Sequence, residues 1–204
     1  MKHSQLTLPN VSRETEERLL AYADAIRRWN PTINLISRTD LPELWRRHIL
    51  DSLQLLPLLP KGAANAIDLG SGGGLPAIVL AIASGIHFDL VESDSRKAAF
   101  LREAIRLTAA PATVFNVRIE AATIPPAKLV TARALAPLPR LLEISSRFLA
   151  TGGVFLFPKG RNAAAELTEA QAQWHMKVEC FTSAIDPSAT ILLLSNVARK
   201  AAGS

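Results

Sequence analysis

The segment Asp68-Leu69-Gly70-Ser71-Gly72-Gly73-Gly74-Leu75-Pro76 decides the fold. A short, mostly apolar stretch, residues 63–69, leads into it, and an unbroken apolar stretch, residues 77–83, follows it. Pro76 suits the first turn of a helix, so the pattern predicts a strand, a glycine-rich turn and a helix. Glycines there allow a tight turn and let a ligand approach the peptide atoms, which any Cβ would block. We therefore expect an adenosine cofactor at this turn.

Two classes of cofactor use a turn of this kind. Nicotinamide and flavin proteins carry the pattern G-x-G-x-x-G, with a pyrophosphate at the helix N-terminus. Counted from Gly72, the last position here is Ala77, so only the relaxed form of that pattern fits. Asp68 would repel a pyrophosphate, but it can support the ammonium group of a methionine moiety, directly or through water. These features favour S-adenosylmethionine, and a purely structural glycine turn remains the alternative.

A second carboxylate, that of Glu92, has a sequence spacing from the glycine turn that is typical of this fold. Residues 87–92 read as another strand, and Glu92 lies about 20 residues after Gly70, the spacing of a strand-helix-strand unit. Glu92 would then lie beside the first turn at the carboxyl edge of the sheet. We expect it to bind the ribose of the cofactor. The alternative is an ordinary helix cap formed with Asp94 and Ser95.

The rest of the pattern predicts an α/β fold. Ser12 is a suitable N-cap for an amphipathic helix over residues 12–29, and a second helix carries Leu44, Trp45, His48, Ile49 and Leu53. From residue 63, strands and helices alternate, and residues 177–181 and 190–197 read as a closing hairpin. We predict a helical cap, residues 1–60, within the same globular unit as a Rossmann-like domain, residues 61–204. Its doubly wound sheet would be mostly parallel with an antiparallel final strand.

Composition narrows the class of protein. The chain has 204 residues, a formal charge of +5 and one cysteine, Cys180. The length fits one large domain, and the charge weakly favours an anionic partner. A lone cysteine excludes an internal disulfide and a thiolate-rich metal cluster. The first ten residues are polar and the longest uncharged span contains the glycine turn, so we expect a cytoplasmic protein without membrane or metal binding. The predicted state is a monomer.

Several segments, in order along the chain, match one family. They are Trp29-Asn30 with Asn34-Leu35; Arg47-His48-Ile49-Leu50-Asp51-Ser52; the glycine turn; Leu90-Val91-Glu92-Ser93 with Arg96-Lys97 and Phe100-Leu101; Arg118-Ile119-Glu120; Arg133-Ala134; and Lys159-Gly160. With these segments the chain resembles the bacterial small-subunit ribosomal RNA guanine-N7 methyltransferases, also called the glucose-inhibited division protein B family. The matching segments span most of the chain.

The resemblance implies a class I S-adenosylmethionine-dependent methyltransferase acting on N7 of a guanine in 16S ribosomal RNA. It implies that Gly70 and Leu75 line the cofactor site, that Ile119 and Glu120 lie beside the adenine, and that Arg133 contacts the cofactor region. With the turn itself, the predicted cofactor-binding residues are Asp68, Gly70, Ser71, Gly72, Gly74, Leu75, Glu92, Ile119, Glu120 and Arg133. The sequence departs from the family at Ala77, usually glycine, and at Glu92, usually aspartate.

The implied chemistry requires little of the protein. N7 of guanine has a lone pair and no proton to remove, so no general base is needed and positioning carries much of the acceleration. The scattered histidines and Cys180 accordingly form no obvious nucleophile-base pair. Arg133, at the expected end of a strand, and His48 are the positioning candidates, although His48 can equally be a buried capping residue.

The partner implied is the small-subunit ribosomal RNA or the small ribosomal subunit. Candidate RNA-binding residues are Asn34, Arg46, Arg47, His48, Lys159 and Arg161. Lys159 is read as a phosphate contact or, alternatively, as a solvated loop lysine. Three other functions stay open: a small-molecule methyltransferase, a nicotinamide-dependent oxidoreductase, and a catalytically silent RNA-binding or ribosome assembly factor.

Overall fold

The computed structural model describes residues 3–6 and 8–201. Its strands are β1 (His3–Gln5), β2 (Asn65–Leu69), β3 (His87–Val91), β4 (Ala112–Phe115), β5 (Ala127–Thr131), β6 (Leu149–Lys159), β7 (Trp174–Thr182) and β8 (Thr190–Arg199). Its α-helices are α1 (Arg13–Trp29), α2 (Asp51–Leu53), α3 (Ala77–Ser84), α4 (Ser95–Thr108), α5 (Leu138–Ser145) and α6 (Ala163–Gln173). Short 3₁₀ turns cover Leu41–Glu43, Leu56–Leu58, Ile119–Ala121 and Ser146–Phe148, and a π-helix covers Trp45–Leu50.

The described strands form one eight-stranded sheet in the order β1-β7-β8-β6-β5-β2-β3-β4. Strands β2 to β6 pair in parallel, whereas β8 is antiparallel to both β6 and β7. The predicted class I methyltransferase architecture, with its antiparallel final strand, is confirmed. Strand order reverses at β2, which has β3 on one side and β5 on the other. In open α/β sheets, ligands bind at the carboxyl ends of the strands beside such a reversal.

The two elements around the glycine turn are deeply buried. Strand β2 has four consecutive buried residues, as expected for a parallel strand covered on both faces. In α3 every residue from Ala77 to Ile82 is buried, so the helix lacks a polar face. The helix ends at Gly85, whose φ of +75° gives the left-handed C-cap that glycine adopts without strain. This rigid strand-helix pair holds the turn between them.

The helical cap packs on the same core as the sheet. Ser12 caps α1 by accepting a hydrogen bond from the Thr15 amide at 3.2 Å, as predicted. Buried residues of α1, including Leu19 and Tyr22, belong to one hydrophobic cluster with α3. The second predicted helix is irregular, because a 3₁₀ turn, a π-helix and α2 follow one another over residues 41–53. Apolar spacing indicates a helix here but carries no signal for the π-turn.

Two further details differ from the sequence-based expectation. Strand β1 pairs in parallel with β7, although its three polar residues give no strand pattern. Strand β6 begins at Leu149 and runs through Gly152 and Gly153, although glycine is disfavoured within strands. A register shift against β5 at this point accommodates the glycines.

Candidate functional site

The glycine turn lies at the carboxyl edge of the sheet, tied to the end of β3. The amides of Gly70 and Ser71 both donate to the Val91 carbonyl, at 2.9 and 3.1 Å. Gly72 has a φ of +55°, and a Cβ built there would meet only the Gly70 carbonyl oxygen within 4 Å, at 3.8 Å. The outer face of the turn is therefore open space that a side chain would fill.

Glu92 joins the turn to the start of α4. One carboxylate oxygen accepts from the Gly72 amide at 2.8 Å and the other from the Asp94 amide at 2.7 Å. The N-cap of α4 is Asp94, which accepts from the amides of Arg96 and Lys97. Glu92 is thus not the cap itself, and it is 7% exposed. Since a carboxylate has about four acceptor positions, each oxygen retains capacity to bind a hydroxyl group.

A cavity of about 360 Å³ opens at this turn, and we call it the turn cavity. Its volume is in the range of small-molecule sites. It is lined by Gly70, Gly72, Val91, Glu92, Ser93, Lys97, Val117, Arg118, Ile119, Glu120, Arg133, Ala134 and Leu135. Six of the ten predicted cofactor-binding residues are among them: Gly70, Gly72, Glu92, Ile119, Glu120 and Arg133. Residues from four separate segments therefore meet at one place.

The other four predicted cofactor residues shape the turn from beneath and do not line the turn cavity. Asp68 is 1% exposed and accepts from the Thr131 hydroxyl at 2.6 Å. The Ser71 hydroxyl donates to the Asp68 carbonyl, and Leu75 is buried. At Gly74, an added Cβ would lie 2.6 Å from Ile78, so this glycine is required by packing.

Asp68 is electrostatically unusual. Burial raises the pKa of its carboxyl group to about 7, and the nearby Glu92 carboxylate acts in the same direction. Hydrogen bonds from Thr131 and Ser71 and the charge of Arg133 lower that pKa only in part. The charge of this buried group therefore changes near neutral pH.

Arg133 connects the sheet edge to the helical cap. It follows β5, and its Nη1 lies 3.1 Å from Nδ1 of His48 and 3.7 Å from the Asp51 carboxylate. Because a guanidinium only donates, His48 accepts at Nδ1 and carries its proton on Nε2, 3.6 Å from the Asp40 carboxylate. Burial and the charge of Arg133 lower the pKa of His48 to about 4, so the imidazole is neutral at physiological pH. The two positioning candidates are in direct contact.

A second cavity adjoins the turn cavity, and a cleft in turn adjoins that second cavity. The neighbouring cavity, about 530 Å³, shares residues 133–135 with it and is otherwise lined by Asp51, Ala136, Pro137, Pro158, Lys159, Gly160, Glu166, Ser183, Ala189, Thr190 and Ile191. The arginine cleft, about 390 Å³, is lined by Asp40, Arg46, Arg47, His48, Asp51, Ile185, Asp186, Pro187 and Ala189. Asp51 lines both of these openings. Shared lining residues thus link the three openings in a row.

Basic side chains surround the outer end of this region. Arg46 donates to the Ile185 carbonyl at 3.0 Å. Hydrogen bonds from Ser188 hold the pKa of Asp186 below its usual range, and the charges of Arg47 and Arg161 add to this effect. Arg47, from the cap, lines the arginine cleft together with Asp186, and Arg161 follows the end of β6. Asn34 is also exposed, in the loop whose neighbouring residue, Leu35, packs over the glycine turn.

Lys159 is neither a loop residue nor solvated. It ends β6, its side chain is 10% exposed, and its ammonium group lies 2.7 Å from the Glu166 carboxylate. The same ammonium donates to the Ala136 carbonyl at 2.8 Å. The solvated-loop interpretation of Lys159 was wrong, because α6 places Glu166 against the end of β6.

Several residues of the site were not assigned from the sequence. Thr131 holds Asp68, Glu166 holds Lys159, and Asp51 faces Arg133. Tyr22 is fully buried and donates to the Gly73 carbonyl on the inner side of the turn, and burial raises the pKa of its hydroxyl. Of these, only Asp51 lies in one of the segments that match the family. Within residues 3–6 and 8–201, no group of three or more potential metal ligands is found, and no helix has the length and apolarity needed to cross a bilayer.

The chain matches a known protein family. The family model described as GidB, rRNA small subunit methyltransferase G, matches residues 15–189. A protein named ribosomal RNA small subunit methyltransferase G from Rhodospirillum centenum is 55% identical over 188 residues, covering 92% of this chain and 87% of its own length. One of the same name from Gluconobacter oxydans is 54% identical over 192 residues, covering 94% and 99%.

Solved structures share the fold at low identity. An O-methyltransferase from Bacillus cereus, determined in complex with S-adenosylhomocysteine, superposes with a TM-score of 0.55 and 16% identity over 92% of each chain. Such a likeness shows the fold alone, whereas the family match covers most of the sequence. On this evidence the chain belongs to the GidB family, rRNA small subunit methyltransferase G.

Proposed function

We propose that this protein transfers a methyl group from S-adenosylmethionine to N7 of a guanine in small-subunit (16S) ribosomal RNA. The family membership supports the reaction class, because the relatives are named for methylating this RNA. The observation that carries the proposal is the turn cavity, which adjoins a second cavity of sufficient size across residues 133–135. Two reactants can meet at that shared wall.

The turn cavity fits the proposed cofactor. Gly72 leaves open the space that a Cβ would occupy, so a ligand can lie directly on the turn. Glu92 offers unused acceptor positions to the ribose hydroxyls, and Ile119 and Glu120 border the region assigned to the adenine. Asp68 lies beneath the turn, so we assign it an electrostatic contribution to the ammonium group of the methionine moiety. When bound, S-adenosylmethionine supplies an electrophilic methyl group on a sulfonium.

The residues around the neighbouring cavity suit a purine that becomes positively charged. We place the guanine there, with N7 toward residues 133–135. A free cation against the ring would oppose the reaction, but the charge of Arg133 is balanced by Asp51 at 3.7 Å. His48 adds no charge, because its pKa lies near 4. The protein thus orients the reactants, and no proton has to be removed.

RNA binding is assigned to the arginine cleft and its rim. Arg46, Arg47 and His48 line the arginine cleft together with Asp186, and the charge of Arg161 acts on the same carboxylate. Asn34 is exposed beside Leu35, which packs against the glycine turn. Guanidinium groups pair well with phosphate oxygens. We propose that these residues hold the RNA backbone while the target base enters the neighbouring cavity. A ribosomal substrate would place the protein in the cytoplasm, and we propose that it acts as a monomer.

Binding measurements separate this function from its rivals. Calorimetric titration should show binding of S-adenosylmethionine and no binding of a nicotinamide dinucleotide. Affinity for small-subunit RNA should fall steeply with salt, because phosphate contacts release counterions. Dinucleotide binding without methyl-donor binding would establish an oxidoreductase, and methyl-donor binding without salt-sensitive RNA affinity would establish a small-molecule enzyme.

A further inference from the structure

The loop between β5 and α5, residues 132–137, forms the wall shared by the two cavities. Ala134 and Leu135 line both of them. Leu135 also packs against the glycine turn, since a Cβ on Gly70 would lie 2.7 Å from its Cδ1. A displacement of this loop would change the shape of both binding sites at once.

The backbone of this loop is not in an intrinsically favoured conformation. Ala134 has a φ of +53°, in the left-handed region, where a residue with a Cβ costs about 1–2 kcal/mol. Pro137 at the N-cap of α5 has no side-chain hydrogen bond to the helix. Strain of this kind persists only where surrounding contacts hold the backbone in place.

Lys159 and Glu166 provide such contacts. The Lys159 ammonium donates to the Ala136 carbonyl at 2.8 Å, and Glu166 accepts from the Leu138 amide at 2.7 Å. The two side chains lie 2.7 Å apart as an ion pair, with Lys159 only 10% exposed. A carbonyl and an amide two residues apart are thus held by one charged pair that comes from β6 and α6. Charge-assisted hydrogen bonds are the strong class, and removing one partner leaves the other charge buried.

We propose that Lys159 and Glu166 are positioning residues that hold residues 134–138, so that Arg133 and Leu135 keep their places between cofactor and target base. The inference rests on the proposed function and extends it. It removes Lys159 from the candidate phosphate contacts, because its ammonium group is already engaged by Glu166 and Ala136.

The test compares Lys159→Met with two other variants in methyl transfer to small ribosomal subunits and in RNA binding at several salt concentrations. Lys200→Met is the matched control, because Lys200 also donates to a carbonyl, that of Gln171, but lines none of the cavities described above. Arg161→Ala represents loss of a phosphate contact. A misplaced reacting group can cost up to about 100-fold in rate, so Lys159→Met should lower kcat by about 10- to 100-fold.

The slope with which RNA binding by Lys159→Met depends on salt should equal that of the wild type, because no phosphate contact is lost, and Lys159→Arg should restore most of kcat. Arg161→Ala should instead weaken RNA binding and reduce the slope by about one. If Lys159→Met reduced the salt slope by about one and kept kcat at saturating RNA, Lys159 would be a phosphate contact and the proposal would be wrong.

Hydrogen exchange gives a readout that needs no activity. The amides of residues 134–136 and of Leu138 should exchange faster in Lys159→Met than in the wild type or in Lys200→Met. Should Lys159→Met fail to fold, Glu166→Gln, which keeps an acceptor for the Leu138 amide but loses the ion pair, takes its place. Unchanged exchange in these variants would overturn the positioning role. If the amides exchanged faster in Lys159→Met but the wild-type protein methylated no ribosomal RNA, only the proposed function would be refuted.

Discussion

Replacing Gly72 with alanine separates ligand contact from backbone strain. The φ of +55° at Gly72 means that any Cβ costs about 1–2 kcal/mol of folding free energy. The added methyl group meets no protein atom more closely than the Gly70 carbonyl oxygen at 3.8 Å, so packing inside the fold is unaffected. The methyl group would project into the open side of the turn, where we place the cofactor.

Gly62 provides the matched control. Its φ is +73°, nothing lies within 4 Å of an added Cβ, and it lines none of the cavities described above. Gly62→Ala should therefore lose a similar amount of folding free energy, about 1–2 kcal/mol, and keep its affinity for S-adenosylmethionine. A methyl group forced into a filled site costs about 1–3 kcal/mol. The Kd of Gly72→Ala should accordingly rise about 5- to 150-fold.

Calorimetry gives the Kd, and denaturant unfolding with and without ligand gives an independent check. At a ligand concentration of 100 times the wild-type Kd, the wild type gains about 2.7 kcal/mol of stability, and a tenfold weaker variant gains only about 1.4 kcal/mol. If Gly72→Ala bound with the wild-type Kd while losing the same folding free energy as Gly62→Ala, the turn cavity would not be the cofactor site.

Three further predictions concern the charged groups of the site. Glu92→Ala removes two charge-assisted hydrogen bonds and the ribose contact, so calorimetry should show at least about tenfold weaker binding of S-adenosylmethionine; unchanged affinity would contradict the ribose assignment. The pKa of Asp68, about 7, is above its unfolded value, so its contribution to stability is present at low pH and lost as pH rises through 7. Denaturant unfolding at several pH values should show that the free energy of unfolding depends less steeply on pH in Asp68→Asn than in the wild type. An equal pH dependence would refute the raised pKa of Asp68. The pKa of His48, about 4, is depressed, so its contribution is present above the unfolded pKa of about 6.5 and lost as pH falls through 4. In His48→Asn this loss of stability at acidic pH should disappear. A variant that loses as much stability in acid as the wild type would contradict the lowered pKa of His48.

Local patterns predicted most of the fold. The glycine turn, Glu92 and the closing hairpin follow from the spacing of apolar residues, glycines and carboxylates over at most about 20 residues. The six cofactor candidates that line the turn cavity came from the same spacings or from the family resemblance. These features can be predicted because each strand-helix unit consists of residues that are close together in the sequence.

What the sequence did not predict depends on distant contacts. The sequence shows that Asp68 precedes Gly70 by two residues, but the burial of Asp68 against Thr131 depends on the pairing of β5 beside β2. Likewise, Lys159 is recognisable as a basic residue, whereas its pairing with Glu166 requires the packing of α6 at the end of β6. The π-helix over Trp45–Leu50 has no signal in apolar spacing, although it carries His48 to Arg133.

The most direct measurement is transfer of labelled methyl from S-adenosylmethionine to small ribosomal subunits, and to their protein-free RNA, from cells that lack this protein. Digestion of the RNA and separation of its nucleosides identifies the product. The account predicts that the label is recovered as N7-methylguanosine from at least one of the two substrates, and that Gly72→Ala needs more S-adenosylmethionine to reach the same extent. Label in any other nucleoside, or no transfer to either substrate by protein that binds the methyl donor, would contradict it.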